Sequence, residues 1–166
     1  MKHYLLILIL AATGAQAETM GNANPINQKT LIAKDIKRYT AFGEFGEIKA
    51  FLVSAIEQRG IKINNTSHIS DMLQRTGKDL GNNRAIFKHA EAIQFCSATL
   101  SREMMQANPH NIVFCPYTIL IYELAADPGT TYLSYRRPFY QPDGANDASQ
   151  AKVDELLSSI IDEVVE

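Results

Sequence analysis

Cysteine is scarce in this sequence, which contains only Cys96 and Cys115 among its 166 residues. The two are not arranged as Cys-x-x-Cys, so a thioredoxin-like oxidoreductase is not supported. The sequence also lacks a Ser-His-Asp order, a paired-acid motif, a phosphate-binding glycine loop and a zinc signature. We therefore assign no catalytic residue and no metal ligand, and the absence of these motifs favours a protein that is not an enzyme.

An excess of charge of one sign is also missing. The chain carries 16 Lys and Arg against 18 Asp and Glu, which gives a formal net charge of -2 at pH 7. Proteins that bind nucleic acid or anionic membranes neutralise phosphates with a basic surface. The sequence shows no such basic patch, so we expect neither nucleic acid nor an anionic membrane as a partner.

Long hydrophobic runs are absent except at the N-terminus. There, Lys2 precedes an unbroken apolar run over residues 5–12, and Ala15-Gln16-Ala17 follows it. A basic start, an apolar core and small residues in this order are typical of a signal peptide. The run is shorter than the ~20 residues that a bilayer-spanning helix needs. The sequence therefore predicts a signal peptide over residues 1–17, cleavage after Ala17, a periplasmic location and no membrane span in the mature protein.

The remaining sequence alternates between strand and helix patterns. Apolar residues at helical spacing start at Phe45, and Gly60 follows as a helix terminator. The turn chemistry of Asp127-Pro128-Gly129 predicts a hairpin. Strands are predicted over residues 30–39, 61–63, 90–96, 111–124 (its central part after Pro116) and 131–136, and further helices over 68–80, 98–106 and 148–165.

Strands joined by a hairpin and by short helices predict an α+β fold. We expect a two-layer sandwich in which helices cover a largely antiparallel sheet. Residues 18–29 are polar and are predicted to be a flexible lead-in, and residues 138–147 are predicted to be irregular. A chain of this length fits one domain. The expected organisation is therefore a signal peptide, a lead-in, and a single α+β domain over residues 30–166 that ends in a helix.

Three separated motifs carry a resemblance to a known family. They are IQFCSATLSREMMQANPHNIVFCPYTILIYEL over residues 93–124, YRRP over 135–138 and SHISDMLQRTG over 67–77. Together they resemble the domain of unknown function family 302 over roughly residues 34–138. The resemblance implies a small α+β fold, allows a homodimer and brings no settled activity. It also implies that Cys96 and Cys115 occupy recurring cysteine positions, one ahead of a helix and one at the head of the next strand.

The two cysteines leave two alternatives open. In an oxidising compartment they could form a structural disulfide, which in the chain-entropy model would contribute about 3 kcal/mol. Alternatively, Cys96 lies where a helix begins, and the helix dipole would stabilise its thiolate and make it a better nucleophile or ligand. The sequence thus predicts that Cys96 and Cys115 are neighbours, as a disulfide or as a redox or ligand pair.

A metal or haem site would need further ligands near the two sulfurs. The candidate side chains are scattered and do not have closed-site spacing; they are Met104, Met105, His68, His89 and His110. The simpler interpretation of the two methionines is that they fill the core. We therefore name no cofactor and leave metal or haem binding through the cysteines as an alternative.

A ligand pocket is predicted near the last strand. Alternation places Tyr132 and Arg136 on one face of this strand and Tyr135 on the other. An arginine guanidinium matches the geometry of carboxylate and phosphate groups. His68 is added because it lies in one of the family-like motifs. The predicted pocket residues are therefore His68, Tyr132, Tyr135 and Arg136, while Arg137 is interpreted as a solvated strand end.

These observations favour an exported α+β protein that binds a small molecule or a partner protein without catalysing a reaction. The alternatives are a thiol-based redox or sulfur-handling protein that uses Cys96 and Cys115, or a metal- or haem-binding protein that uses the same pair. The sequence does not identify the ligand, the partner or the cofactor.

Overall fold

The structure is a computed structural model that describes residues 30–33, 35–139 and 148–165. Strands and helices follow one another along the chain in the order β1 (Thr30–Ala33), β2 (Ile36–Phe42), α1 (Phe45–Gln58), β3 (Ile63–His68), α2 (Ile69–Asp79), β4 (Phe87–Phe95), α3 (Ala98–Ala107), a 3₁₀ helix (Pro109–Phe114), β5 (Tyr117–Leu124), β6 (Asp127–Arg136) and α4 (Ala148–Val165). The predicted signal peptide and lead-in, and most of the irregular segment 138–147, lie outside the described residues.

The described strands form one sheet in the order β1-β2-β6-β5-β4-β3. Every neighbouring pair in this sheet is antiparallel. Along β5, residues alternate strictly between buried and half-buried positions, because successive side chains of a strand point to opposite faces. The buried side faces the helices. The predicted α+β fold, with helices on an antiparallel sheet, is confirmed.

The core lies between the sheet and helices α1 and α4. Leu52 of α1 and Ile160 of α4 are fully buried, together with Ile119 and Leu133 from the sheet. These helices contact each other as well as the sheet. Burying one such side chain contributes about 1.5 to 3 kcal/mol. The apolar stripes of the predicted helices thus face the core, as their spacing indicated.

Two helix ends follow the local sequence signals. Gly60 has a φ of 69°, the left-handed conformation that a glycine after a helix accepts without a steric penalty. At the start of α3, the hydroxyl of Ser97 accepts a hydrogen bond from the amide of Leu100 at 3.4 Å. This bond satisfies one of the backbone donors that a helix leaves unpaired at its first turn. Helix α3 therefore begins at Ala98, where the sequence predicted its start.

The predicted strand 30–39 is two strands. The chain reverses between Ala33 and Ile36, which pair with each other, and β2 continues to Phe42. Apolar and polar residues alternate with the same two-residue period in one long strand and in two short ones. The sequence pattern therefore did not reveal that the chain reverses here. The short strand predicted over 61–63 also differs, because β3 begins only at Ile63 and extends to His68. The polar residues after Ile63 continue this strand, which lies at the edge of the sheet.

The predicted strand 111–124 begins too early. Residues 109–114 form a 3₁₀ helix, which the side chain of Asn108 caps by accepting a hydrogen bond from the amide of His110 at 3.0 Å. The peptide between Cys115 and Pro116 is cis, and β5 starts at Tyr117. The apolar residues Ile112 and Val113, which suggested a strand, are exposed. The prediction that the central part of the strand lies after Pro116 agrees with the structure.

The tight turn of the β5–β6 hairpin lies at residues 125–126, two residues before the predicted Asp127-Pro128-Gly129 turn. Leu124 pairs with Asp127, whereas Glu123 pairs with Thr131, so β6 bulges between these pairs. The bulge brings the amide of Gly129, at a φ of 88°, within 2.7 Å of a carboxylate oxygen of Glu123. Gly129 therefore supplies the positive φ that the bulge needs, and it is not part of the tight turn.

Among the described residues, no helix is both long enough and apolar enough to cross a bilayer.

Candidate functional site

The two cysteines lie together where β4 ends and β5 begins. Phe95 of β4 pairs with Tyr117 of β5, so Cys96 and Cys115 come just beyond the last paired residues of neighbouring strands. The two thiols are close enough to interact electrostatically, neither is bonded in a disulfide, and both side chains are half-buried. Helix α3 and the 3₁₀ helix connect them and return the chain to its starting point. The structure thus brings together the pair that the sequence singled out.

A chain of hydroxyl groups reaches the thiol of Cys115. The Oγ atom of Ser101, on α3, lies 3.7 Å from the Sγ atom of Cys115 and 2.9 Å from the hydroxyl of Tyr117. Ser101 and Tyr117 are buried. Burial raises the pKa of Tyr117, so its hydroxyl stays protonated at neutral pH. Sequence reasoning missed Ser101, although its place one helical turn after the cap Ser97 puts it on the same side of α3.

The thiol of Cys96 is not activated. Burial, together with its contact to Cys115, raises the pKa of Cys96 to about 11. The amide of Tyr117 acts in the opposite direction but does not outweigh burial. Burial therefore opposes the stabilisation of the Cys96 thiolate that the helix dipole is expected to give.

A cavity of about 290 Å³ lies at the end of the sheet where β5 begins and β6 ends. Its wall includes Phe114 and Pro116, the residues on either side of Cys115 in the sequence. Its lining is mostly apolar and consists of Val113, Phe114, Pro116, Tyr117, Thr118, Leu120, Tyr135, Arg136, Pro138 and Leu157.

Among the described residues of this lining, Arg136 alone is charged. The register that pairs Leu120 with Ser134 places Thr118 opposite Arg136 on the sheet face away from the core helices. The Arg136 side chain is exposed, and among the described residues it forms no ion pair. Its guanidinium is therefore available to an anion at the mouth of the cavity.

Tyr135 lines the cavity, and its hydroxyl is bonded to α4. That hydroxyl donates to a carboxylate oxygen of Asp154 on α4 at 2.8 Å. The same carboxylate accepts hydrogen bonds from Lys37 at 2.9 Å and from Arg137 at 3.1 Å. Arg137 is thus not a solvated strand end. Asp154 could have been noticed in the sequence, because it lies three residues before Leu157 on the apolar stripe of α4.

The other two predicted pocket residues lie elsewhere. Tyr132 is on the same face as Arg136, but its hydroxyl donates to Asp127 at 2.7 Å and its ring stacks on Tyr122. His68 is at the opposite edge of the sheet, on β3, where its Nδ1 lies 3.5 Å from Glu91. Neither contributes to the cavity lining. The alternating pattern identified the face of each residue but not its position along the sheet.

The candidate metal ligands are dispersed. Met104 is fully buried in the core, His89 stacks on Phe45 with ring centroids 4.7 Å apart, and His110 is exposed. Within the part of the chain that the structure describes, no three His, Cys, Asp or Glu side chains are grouped as metal ligands would be. The buried Met104 supports the interpretation of this methionine as core filling.

Comparisons with known proteins agree with this architecture. The family model described as "Domain of unknown function DUF302" matches residues 36–164. The chain is also similar to the crystal structure of an uncharacterised conserved DUF302 protein from Bacillus stearothermophilus, with a TM-score of 0.64 and 17% identity over 80% of this chain and 99% of that chain. At this identity the likeness shows the fold alone. No curated protein matches the sequence.

Proposed function

The chain belongs to the DUF302 family, and we propose that it is an exported protein that binds a small organic anion, without transforming it, in the cavity beside Arg136. The observation that carries this proposal is the combination of an apolar cavity with one unpaired guanidinium at its mouth. The ligand that fits such a site has an apolar body and a single carboxylate or similar anionic group.

The size and lining of the cavity support a small ligand. Its volume of about 290 Å³ is near the lower end of the ~300 to 1,000 Å³ that is usual for ligand sites. Leu120, Pro138 and Leu157 provide apolar surface, which favours burial of an aromatic or short aliphatic group. Arg136 would then orient the ligand by pairing with its anionic end.

The polar groups of the lining support binding rather than catalysis. The hydroxyls of Tyr117 and Tyr135 already bond to Ser101 and Asp154. Burial raises the pKa of both tyrosines, so neither is a general base at neutral pH. The described lining contains no carboxylate, imidazole or thiol that could take that role.

Export is the second part of the proposal. It is supported by the order of Lys2, the apolar run 5–12 and Ala15-Gln16-Ala17. Expression of the full chain in a bacterial host, followed by intact mass and N-terminal sequencing of the periplasmic fraction, tests it. We expect a mature N-terminus at Glu18. Recovery of the protein with residues 1–17 still attached would contradict the proposal.

Ligand binding is tested with a matched pair of probes. Purified protein is titrated with benzoate and, separately, with benzyl alcohol, which has a similar ring but no charge. Amide chemical shifts report the site, and we expect saturable shifts at Thr118, Leu120 and Arg136 with benzoate. Benzyl alcohol should bind at least about 10-fold more weakly, which corresponds to about 1.4 kcal/mol.

Substitution of the arginine makes this test specific. Arg136→Gln keeps a polar side chain and removes the charge, so benzoate binding should weaken by about 10-fold or more, as expected for loss of a hydrogen bond to a charged group. Arg75→Gln, at an exposed arginine of α2 outside the cavity, is the control and should bind as the unaltered protein does. Equal benzoate binding by both variants would overturn the role of Arg136.

A further inference from the structure

The two thiols have different hydrogen-bond surroundings. The sulfur of Cys115 lies 3.7 Å from the hydroxyl of Ser101. Ser101 can donate to this sulfur while accepting from the hydroxyl of Tyr117, 2.9 Å away. In this direction, the chain from Tyr117 through Ser101 presents one hydroxyl donor to the Cys115 sulfur.

Cys96 lacks a comparable hydroxyl donor among the described residues. Its contacts are Cys115 and the backbone amide of Tyr117. Burial raises the pKa of Cys96 to about 11, so this thiol keeps its proton at neutral pH. The pair is thus asymmetric, because among the described residues a hydroxyl lies beside the Cys115 sulfur and none lies beside Cys96.

We propose that Cys96 and Cys115 form a redox-active pair that exchanges with low-molecular-weight disulfides, in which Cys115 is the attacking sulfur and Cys96 the resolving one. The geometry supports this because the pairing of Phe95 with Tyr117 places the two cysteines at adjacent strand ends, both thiols are free, and both side chains remain partly open to solvent. The proposal does not depend on ligand binding at Arg136.

The reaction balances with a small disulfide as oxidant. The Cys115 thiolate attacks one sulfur of the small disulfide, forms a mixed disulfide and releases one small thiolate, which takes up a proton. Cys96 then loses its proton to solvent and attacks the Cys115 sulfur, which releases the second small thiolate. Two protein thiols are oxidised to one disulfide, and one small disulfide is reduced to two thiols.

Ser101 is assigned as a positioning residue. It touches neither the small disulfide nor the resolving thiol in this scheme, but its hydroxyl stabilises the Cys115 thiolate by donating a hydrogen bond. Helix α3 holds it in place, since Ser101 follows the cap Ser97 by one turn and its amide bonds to the Ser97 carbonyl at 2.8 Å. The rigid helix therefore sets the distance between hydroxyl and sulfur.

The first experiment measures which sulfur reacts. Reduced Cys96→Ser and Cys115→Ser variants are mixed with oxidised glutathione, quenched with acid and analysed by intact mass. We expect Cys96→Ser to accumulate a glutathione adduct, and Cys115→Ser to form its adduct about 10-fold more slowly. On the unaltered protein, brief alkylation and peptide mass analysis should find Cys115 modified first, a measurement that needs no variant to fold.

Two results would overturn the proposal. One is an adduct that forms as fast on Cys115→Ser as on Cys96→Ser. The other is a disulfide in the unaltered, folded protein that excess reduced glutathione fails to open, since this would identify a permanent structural bond rather than an exchanging pair.

The second experiment tests Ser101 in the Cys96→Ser background. Ser101→Ala should move the midpoint of the pH profile of Cys115 alkylation to higher pH, because the thiolate loses a donor. Ser101→Thr keeps the hydroxyl and should restore the original midpoint. An unchanged profile in Ser101→Ala would remove the positioning role, whatever the stability of that variant.

Discussion

Two polar clusters join helices to the sheet, and they differ in how well their groups are satisfied. At Asp154, a buried carboxylate accepts hydrogen bonds from Tyr135, Lys37 and Arg137, all shorter than 3.2 Å. At Cys115, the sulfur lies 3.7 Å from the hydroxyl of Ser101. Strong, charge-assisted bonds hold structure together, whereas a weakly bonded, half-exposed sulfur is open to chemistry.

The difference also shows in the electrostatics. Burial alone would raise the pKa of Asp154, but the bonds from Arg137, Lys37 and Tyr135 outweigh it and hold the pKa below the ordinary value. For Cys96, burial is not offset and the pKa rises to about 11. Donors thus stabilise the charged form in one cluster, whereas in the other the desolvated Cys96 keeps its proton. We assign the first cluster to stability and the second to reactivity.

The largest expected effect comes from breaking the Asp154 cluster. Asp154→Ala leaves Lys37 and Arg137 without their carboxylate and should lower the free energy of unfolding by about 3 to 5 kcal/mol. Urea denaturation measures it. The control is Glu155→Ala, at the exposed neighbour on the same helix, where we expect a change within about 0.5 kcal/mol. Equal effects at both positions would refute the structural role of Asp154.

A buried apolar side chain gives a reference for the loss of unfolding free energy expected at these polar residues. Leu52→Ala removes a fully buried side chain of α1 and should lower the free energy of unfolding by about 2 to 5 kcal/mol. Phe51→Ala, at the adjacent residue that is 59% exposed, is the matched control and should have a much smaller effect. A change close to zero for Leu52→Ala would show that the core face of α1 is assigned wrongly.

Two buried tyrosines allow a direct comparison of the clusters. Tyr135→Phe removes a donor to a charged carboxylate and should lower the free energy of unfolding by about 1.5 to 3 kcal/mol. Tyr117→Phe removes the hydrogen bond to the neutral hydroxyl of Ser101 and should lower the free energy of unfolding by about 0.5 to 1.5 kcal/mol. Both changes keep the ring, so chemical denaturation reports mainly the hydroxyl. The reverse order would contradict our distinction between the two clusters.

The smallest expected effect is on the pH dependence of stability. Because the folded state lowers the pKa of Asp154, this group contributes stability above its unfolded pKa, and that contribution disappears as pH falls through the lower, folded pKa. Glu123, whose pKa is lowered by the amide of Gly129 and by Lys88, acts in the same direction. We expect unfolding free energies measured from pH 6 down to pH 2 to fall less steeply in Asp154→Asn. An equally steep fall would exclude Asp154 as a contributor.

Local patterns predicted the elements better than their ends. The stripe from Ile48 to Ile56 predicted α1, and the caps Ser97 and Gly60 marked true helix ends. Predictions were wrong where two structures share one local pattern. The apolar residues Ile112 and Val113 suit a strand, but the cap at Asn108 and the bond from Asn111 to the Met104 carbonyl hold them in a 3₁₀ helix.

The candidate site was predictable only in part. Arg136 and Tyr135 were placed near a pocket because both follow from the alternation of β6, and both line the cavity. His68 was included for its motif alone, and the sheet order puts two strands, β5 and β4, between it and β6. Ser101 and Asp154 carried no motif. Their roles depend on partners 14 to 117 residues away in the chain, a separation that no local pattern encodes.

The amino-acid pattern alone was sufficient for the α+β class, for the helix faces that enter the core and for the two adjoining cysteine positions. These properties depend on the 3.6-residue and two-residue periods of helix and strand, which are local. The strand order, the partners of Asp154, and the position of Ser101 beside Cys115 rather than Cys96 arose only when distant segments packed together. Burial and hydrogen bonding between such segments depend on the assembled fold, and the same residues in another packing would have other pKa values and other partners.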